Sequence, residues 1–238
     1  MKENKIWNDY LPEDIQEHWT VYECLKESED SSTFLVKETA TGILCVLKWG
    51  RNRQAEFLRN EMEIMKKMAD RKLSGIPKAY RIFEENGEVY LVREYIEGMS
   101  LAQMVLQKGG ISEAEICRIS RKICQTAEQF QNPDEPMIHR DIKPENIVVT
   151  PGGEVVFIDF GTMRSYKKDG SRDTFVVGTR GTAAPEQYGY TQTDQRTDVY
   201  AIGQTMLYMV SESYEMNQLS ECAVSRRMKK IIEKACEQ

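Results

Sequence analysis

The stretch HRDIKPEN, residues 139–146, holds the densest cluster of polar side chains with chemical potential in the chain. It sets Asp141, Lys143 and Asn146 on one loop between two apolar runs. These residue types suit one proton acceptor, one cation and one metal-binding amide. Polar groups beside apolar strands cost stability unless they share a task, so the stretch predicts a reaction site.

A second motif, DFG at residues 159–161, follows Asn146 by thirteen residues. The intervening runs IVVT and EVVFID are predicted strands, and Pro-Gly-Gly at residues 151–153 joins them as a hairpin. A hairpin of this length folds back far enough to bring Asp159 beside Asn146. Asparagine and aspartate oxygens suit a hard cation, so the two motifs together predict a Mg²⁺ site.

The composition is that of a soluble globular chain. It has 238 residues, 32 Lys+Arg against 38 Asp+Glu and a formal charge of −6, with 40% hydrophobic and 29% charged residues. These values exclude a disordered or fibrous chain, and the acidic balance argues against nucleic acid as a partner. The longest nearly apolar stretch, residues 201–210, is about half of a membrane span, so no membrane segment is expected in this chain.

The N-terminus and the cysteines indicate a reducing compartment. The first residues, MKENKIWNDYLPED, lack the apolar region of a secretory signal, and the six cysteines form no C-x-x-C pair. We therefore expect a cytoplasmic protein, or the cytosolic domain of a longer one.

Hydrophobic patterning divides the chain in two. Residues 21–97 contain five β-rich runs and one helix, predicted over residues 54–69, which carries Glu61 on the apolar face formed by Phe57, Ile64, Met65 and Met68. Such an acid needs a cation partner. Beyond residue 98 the pattern becomes helical: Ser112 to Glu115 predicts a capping box, Thr197-Asp198 the start of a buried helix, and residues 226–238 an amphipathic helix. We predict an α+β fold with a β-rich lobe at 1–97, including an extension at 1–18, and an α-rich lobe at 98–238.

The motifs resemble those of a family. The chain is similar to the catalytic domain of eukaryotic-like Ser/Thr protein kinases of the bacterial branch, over residues 19–236. The matching segments are H-R-D-x-K-x-x-N at 139–146, D-F-G at 159–161, A-P-E at 184–186, D-x-Y-x-x-G at 198–203, LCVLK at 44–48 and NEMEIM at 60–65. The resemblance implies a bilobal protein-kinase-like fold and transfer of the γ-phosphate of ATP to protein hydroxyls with Mg²⁺.

The resemblance also implies residue roles. Lys48 would hold the α/β-phosphates with Glu61 as its partner, Asn146 and Asp159 would bind Mg²⁺, and Asp141 would accept the proton of the substrate hydroxyl. Lys143 and Gly178-Thr179 form the pattern typical of kinases that act on serine and threonine. The expected partner is a protein substrate, and self-association is expected for autophosphorylation. The adenine ring would contact the hinge backbone at Glu94 and Ile96 and the side chains of Leu25, Val46 and Val148.

Alternative interpretations stay open for several residues. Lys48 could be a surface lysine, Asp198 is expected to tether the catalytic loop, and His139 to be a packed, hydrogen-bonded scaffold residue. A small-molecule kinase of the aminoglycoside-phosphotransferase type would share the H-x-D-x-x-x-x-N core but lack the A-P-E segment.

A degenerate Gly-rich loop favours a second function, a pseudokinase or weakly nucleotide-binding regulatory module, and two further departures lie at the adenine pocket. The Gly-rich loop falls on residues 26–33 without its glycines, and Glu29 and Asp30 add negative charge there. Val46 stands in place of the usual alanine. Arg93 stands at the gatekeeper position, where it could pair with Glu61 or Asp159 and favour an inactive arrangement.

The activation loop and the C-terminus carry further expectations. Residues 164–174 are polar, and Thr174 and Ser171 are candidate phosphorylation sites whose phosphate could pair with Arg140; an unmodified loop is the alternative. Thr182 replaces the aromatic residue common before A-P-E. The D-P-x-x-R segment that follows in the family is absent, so Glu186 is expected to lack its partner and the domain to be minimal or C-terminally truncated.

Overall fold

The computed structural model describes residues 7–8, 11–132, 135–166, 178–179, 181–188 and 192–237. They form two compact units, Met1–Lys72 with Pro77–Ile96 and Leu73–Ile76 with Glu97–Gln238. The short segment Leu73–Ile76 belongs to the second unit because the carbonyl of Gly75 accepts a hydrogen bond from the amide of Phe157 at 3.0 Å. The chain thus contributes to the second unit from two places.

The first unit is a five-stranded antiparallel sheet with one long helix. After the short α1 (Glu13–Gln16), the chain forms β1 (Trp19–Glu27), β2 (Ser31–Glu38), β3 (Leu44–Gly50), α2 (Arg53–Asp70), β4 (Ala79–Glu85) and β5 (Glu88–Glu94). The strands lie in the order β1-β2-β3-β5-β4. The five β-rich runs of the sequence are confirmed as these five strands.

Successive side chains along a strand point to opposite faces of the sheet, and apolar side chains are buried on both faces. Trp19, Val21, Phe34, Leu47 and Val92 form one core with Ile15 of α1. Val89 and Leu91 of β5 pack on the other face against Ala55, Leu58 and Met62 of α2. The predicted apolar face of α2 was wrong at one position: Leu58 is buried, whereas the Phe57 ring is half-buried, with the Arg53 guanidinium 5.1 Å from its centroid.

Several hydrogen bonds hold the turn between β1 and β2. The amide and hydroxyl of Ser28 donate to the carbonyl of Ser31 at 2.8 and 2.9 Å. The Asp30 carboxylate accepts from Arg51 Nε at 2.7 Å and from Asn52 Nδ2 at 3.1 Å. The negative charge predicted at Asp30 is therefore paired with Arg51, which follows β3 directly, and its effect on nucleotide binding stays a prediction.

The second unit is mainly helical. Its elements are β6 (Met99–Ser100), α3 (Leu101–Lys108), α4 (Glu113–Glu128), β7 (Met137–Ile138), β8 (Ile147–Val149), β9 (Val155–Phe157), β10 (Arg164–Ser165), α5 (Gln195–Ser211) and α6 (Arg226–Ala235), with 3-10 turns at Pro144–Asn146, Pro185–Tyr188 and Met216–Glu221. Strands β6, β8 and β9 form a small sheet, and β10 pairs with β7. An α+β architecture is confirmed.

The helix starts differ from prediction in detail. Ser112 caps α4 by accepting from the Glu115 amide at 3.3 Å, but the full reciprocal capping box lies at the start of α3, between Ser100 and Gln103. Helix α5 begins at Gln195, earlier than predicted, because the Asp194 carboxylate accepts from the Arg196 amide at 2.8 Å. Side-chain caps therefore define where helices α4 and α5 begin.

Helix α6 packs against α5 through a small residue. A Cβ added at Gly203 would lie 2.7 Å from Cys236 Sγ and 2.8 Å from Ala235 Cβ, so only glycine admits this contact. Met228 and Ile232 of α6 are buried, whereas Ile231, predicted on the same face, is 47% exposed. Among the described residues, no helix is long and apolar enough to cross a membrane.

Glu186 of the A-P-E segment accepts a hydrogen bond from helix α5. Its Oε1 accepts a 2.6 Å hydrogen bond from the hydroxyl of Thr197 in the first turn of α5. This neutral donor from the same unit is a different partner from the arginine that the resemblance implies for this glutamate.

Candidate active site

A buried ion pair lies inside the first unit. Lys48 Nζ on β3 donates to both carboxylate oxygens of Glu61 on α2, at 2.8 and 2.7 Å. The side chains are 11% and 1% exposed, so Lys48 is no surface lysine. The pair explains an acid on the apolar face of α2: a buried carboxylate is tolerated because two charge-assisted bonds satisfy it.

In the second unit, Asp141 is the centre of a hydrogen-bond network. Its Oδ1 accepts from the Thr179 hydroxyl at 2.7 Å, and its Oδ2 accepts from Lys143 Nζ at 2.8 Å and from Asn146 Nδ2 at 2.9 Å. Lys143 Nζ also donates to Thr179 Oγ1 at 2.6 Å. Donors on both carboxylate oxygens fix the rotamer of Asp141, which is the preorganisation that a catalytic base requires.

Asn146 and Asp159 lie on adjacent backbone segments. The Ile158 amide donates to the Asn146 carbonyl at 3.0 Å, one residue before Asp159, because β8 and β9 pair around the predicted hairpin. Asn146 Nδ2 is committed to the Asp141 carbonyl and carboxylate, which orients its amide group. One carboxylate and one amide oxygen are hard ligands, so this pair fits a Mg²⁺ ion that takes its other ligands from phosphate and water.

Asp198 of α5 holds the backbone of the loop. Its two oxygens accept from the amides of His139 and Arg140 at 2.9 and 3.0 Å. Arg140 has φ +66°, a left-handed conformation that costs energy for a residue with a side chain. The predicted tethering role of Asp198 is therefore matched by its geometry, and the tether maintains a strained turn next to Asp141.

The His139 ring is buried among aromatic side chains. It is fully buried, with centroids 5.3 Å from Phe157 and 5.4 Å from Phe160. Neither ring nitrogen has a hydrogen-bond partner among the described residues, so the predicted hydrogen bonding is made by the backbone alone. Burial lowers the pKa of His139 to about 4, although the nearby carboxylates of Asp141 and Asp159 act to raise it.

Substituting His139 by phenylalanine is expected to reduce the acid sensitivity of the fold. The unfolded chain binds a proton at this position near its ordinary pKa of about 6.5, and the folded chain only near pH 4, so stability is lost as the pH falls through that window. Between pH 7 and 5 this group costs about 2 kcal/mol of unfolding free energy. Urea unfolding at both pH values should show His139→Phe losing that much less than the wild type. An equal loss of unfolding free energy in both proteins would contradict the lowered pKa of His139.

The residues expected around an adenine ring are distributed over both units. In the first unit, Val46 is buried and Leu25 is 47% exposed, while Val148 is buried in the second. At the end of β5, Arg93 is 4% exposed and its Nη1 donates to the Glu94 carbonyl at 2.9 Å. The guanidinium thus binds the Glu94 carbonyl; its pairing with Glu61 or Asp159 stays a prediction.

Two supporting residues were missed by the sequence reasoning. Gln187 accepts from the Ala184 amide at 2.9 Å and donates to the Arg140 carbonyl at 2.6 Å, joining A-P-E to the catalytic loop. The Thr162 hydroxyl donates to the His139 carbonyl at 3.0 Å, and the Thr162 carbonyl accepts from Arg140 Nε at 2.7 Å. Neither residue belongs to a motif, and only the folded arrangement shows their contacts.

The predicted phosphorylation sites, Thr174 and Ser171, lie outside the described residues.

Known proteins resemble this chain over most of its length. A family model described as the protein kinase domain matches residues 20–237. Serine/threonine-protein kinase D of Synechocystis sp. is 29% identical over 216 residues, which cover 83% of this chain and 41% of that protein. A probable serine/threonine-protein kinase of Clostridium perfringens is 35% identical over 147 residues, covering 61% of this chain and 21% of that protein. Sperm motility kinase 3A of Mus musculus is 28% identical over 201 residues, covering 83% and 38%. The chain spans less than half the length of these relatives.

Proposed function

The chain belongs to the protein kinase family, and from that premise we propose that it transfers the γ-phosphate of ATP to serine or threonine hydroxyls of proteins, with Mg²⁺. The observation that carries the proposal is the network in which Thr179 and Lys143 together hold Asp141. The geometry matches the Ser/Thr-type pattern of the sequence. It supports a working base more than a degenerate regulatory module.

The chemistry needs little beyond positioning and charge neutralisation. Asp141 orients the substrate hydroxyl and accepts its proton as the hydroxyl oxygen bonds to the γ-phosphorus and the bond to the β-phosphate oxygen breaks, releasing ADP. Lys48, held by Glu61, binds the α- and β-phosphates. Lys143 stays beside Asp141, where its charge stabilises the transferring phosphoryl group.

Asn146 and Asp159 would hold Mg²⁺, which when bound neutralises phosphate charge. The described residues contain no cluster of three or more His, Cys, Asp or Glu side chains able to hold a metal. The donor set of one amide and one carboxylate, from Asn146 and Asp159, fits Mg²⁺ in kinases, where one or two protein ligands act together with substrate phosphates. The side chains present therefore fit the ion.

Lys48→Met is expected to lower phosphate incorporation by about 10²-fold, the usual effect of losing one preorganised electrostatic group. Incorporation from γ-labelled ATP and Mg²⁺ into a serine- and threonine-containing peptide library measures it. Lys37→Met, at an exposed position on β2, is the matched control and should retain wild-type activity. No incorporation by the wild type, with no thermal shift on adding Mg²⁺ and ATP, would favour the regulatory-module alternative.

A further inference from the structure

A buried arginine lies on the same face of the five-stranded sheet as Lys48. In the pairing of β3 with β5, Lys48 lies opposite Leu91 and Val46 lies opposite Arg93. Side chains two residues apart on a strand point to the same face, so Arg93 shares the face of Lys48. Arg93 is 4% exposed, and a guanidinium is always charged in proteins. This face of the first unit therefore carries two buried cations.

Helix α2 decides on which side of Lys48 a nucleotide has room. A Cβ added at Gly50, two residues after Lys48, would lie 2.9 Å from Gln54 Cβ, so α2 covers the sheet on that side. A nucleotide whose phosphates Lys48 holds therefore extends the other way along β3, toward Val46, which lies two residues before Lys48. Its base then comes beside Arg93, because Arg93 lies opposite Val46.

The Arg93 guanidinium is bound to the backbone at the end of β5. Its Nη1 donates to the Glu94 carbonyl at 2.9 Å. Residue 94 is itself held in place, because its amide donates to the Lys78 carbonyl at 2.8 Å and its carboxylate accepts from the Lys78 amide at 3.0 Å. The Glu94 backbone is the group expected to meet the edge of the base. A positioned cation therefore occupies part of the acceptor that a base would use.

A cation at this carbonyl changes which purine the site suits. Adenine carries an amino group at C6, which donates hydrogen bonds, whereas guanine carries the oxygen O6 there, which accepts them. A guanidinium has five N–H donors and no acceptor, so it opposes the amino group and suits the oxygen. Arginine bound to guanine O6 is the commonest specific contact between proteins and DNA bases for this reason. Burial strengthens the effect, because charges interact more strongly away from water.

We propose that Arg93 recognises the oxygen at C6 of a purine, so that the protein binds GTP as well as ATP and takes its γ-phosphate from either. The inference rests on the proposed function, because it assumes that Lys48 holds nucleotide phosphates, and it adds a second phosphate donor. The two nucleotides have the same triphosphate, so the chemical step is unchanged. The substrate hydroxyl oxygen bonds to the γ-phosphorus, its proton goes to Asp141, and GDP leaves in place of ADP.

Competition binding tests this proposal without phosphate transfer. ATP, GTP and ITP displace a fluorescent ATP analogue in the presence of Mg²⁺, and ITP carries O6 but lacks the 2-amino group of guanine. For the wild type, the Kd values of GTP and ITP should lie within about 10-fold of the Kd of ATP, because a hydrogen bond from Arg93 to O6 offsets the contacts that adenine makes. Arg93→Met should raise the GTP-to-ATP and ITP-to-ATP ratios of Kd by about 10-fold or more, the effect of losing one hydrogen bond to a charged group.

Two further variants complete the measurement. Arg93→Gln is neutral but polar and decides if the methionine variant does not fold; it should raise the same ratios, because its amide can turn its oxygen toward the adenine amino group. Arg81→Met, at an exposed position on β4, removes the same charge and should leave both ratios unaltered.

The outcomes separate this proposal from the proposed function. Equal weakening of all three nucleotides by the Arg93 variants would overturn the proposal, and so would a wild type that binds ATP but neither GTP nor ITP; both results leave the proposed function intact. Binding of GTP that depends on Arg93, with no phosphate transfer to the peptide library from either nucleotide, would support the proposal and contradict the proposed function. Absence of binding by all three nucleotides would overturn both.

Discussion

Replacing Asp141 by asparagine is expected to lower kcat for peptide phosphorylation by about 10²–10⁴-fold, the usual contribution of a positioned acid–base group. The carboxylate now accepts hydrogen bonds from Thr179, Lys143 and Asn146. Asparagine keeps one oxygen, which can still accept a hydrogen bond from one of these donors. It cannot accept the substrate proton as a carboxylate does. The loop should remain folded while the chemical step is lost.

Steady-state kinetics with separate kcat and KM values measures this effect. The KM for ATP should change little, because Asp141 is assigned to the hydroxyl and not to the nucleotide. Asp70→Asn, at the exposed end of α2, is a matched control with the same change in charge and should leave kcat unaltered. A kcat within about 10-fold of the wild type for Asp141→Asn would show that another group accepts the proton.

The strands and the catalytic cluster could be predicted from the sequence because both are local signals. Alternating apolar residues define β1 to β5, and the spacing of Asp141, Lys143 and Asn146 places them on one loop. Glu61 was informative for a related reason: an acid on an apolar helix face requires a cation, and Lys48 supplies it at 2.7 Å.

Partners that depend on tertiary proximity could not be predicted in the same way. Arg51 donates to Asp30 across 21 positions of the sequence, and Thr197 donates to Glu186 across 11 positions. Neither donor belongs to a motif, so its sequence context gives no signal of the contact.

Substituting Asp198 by alanine is expected to lower the unfolding free energy by about 2–6 kcal/mol, since it leaves the amides of His139 and Arg140 without their acceptor, at about 1–3 kcal/mol each. Burial raises the pKa of Asp198 to about 6, while the amides of His139 and Arg140 act to lower it. The carboxylate is therefore largely ionised at neutral pH, where both bonds are charge-assisted.

Asp198→Ala should also reduce kcat, because the left-handed Arg140 next to Asp141 loses the bond that maintains its φ of +66°. Urea unfolding at neutral pH gives the stability change, and Val199→Ala, at an exposed neighbouring position on α5, should stay within about 0.5 kcal/mol of the wild type. Asp198→Asn retains one acceptor oxygen and should fall between the wild type and the alanine variant in both stability and kcat. If Asp198→Ala lost stability but kept wild-type kcat at a temperature where it is folded, the tether would support the fold alone. Loss of both in parallel would show that the buried carboxylate on α5 sets the geometry of the catalytic base.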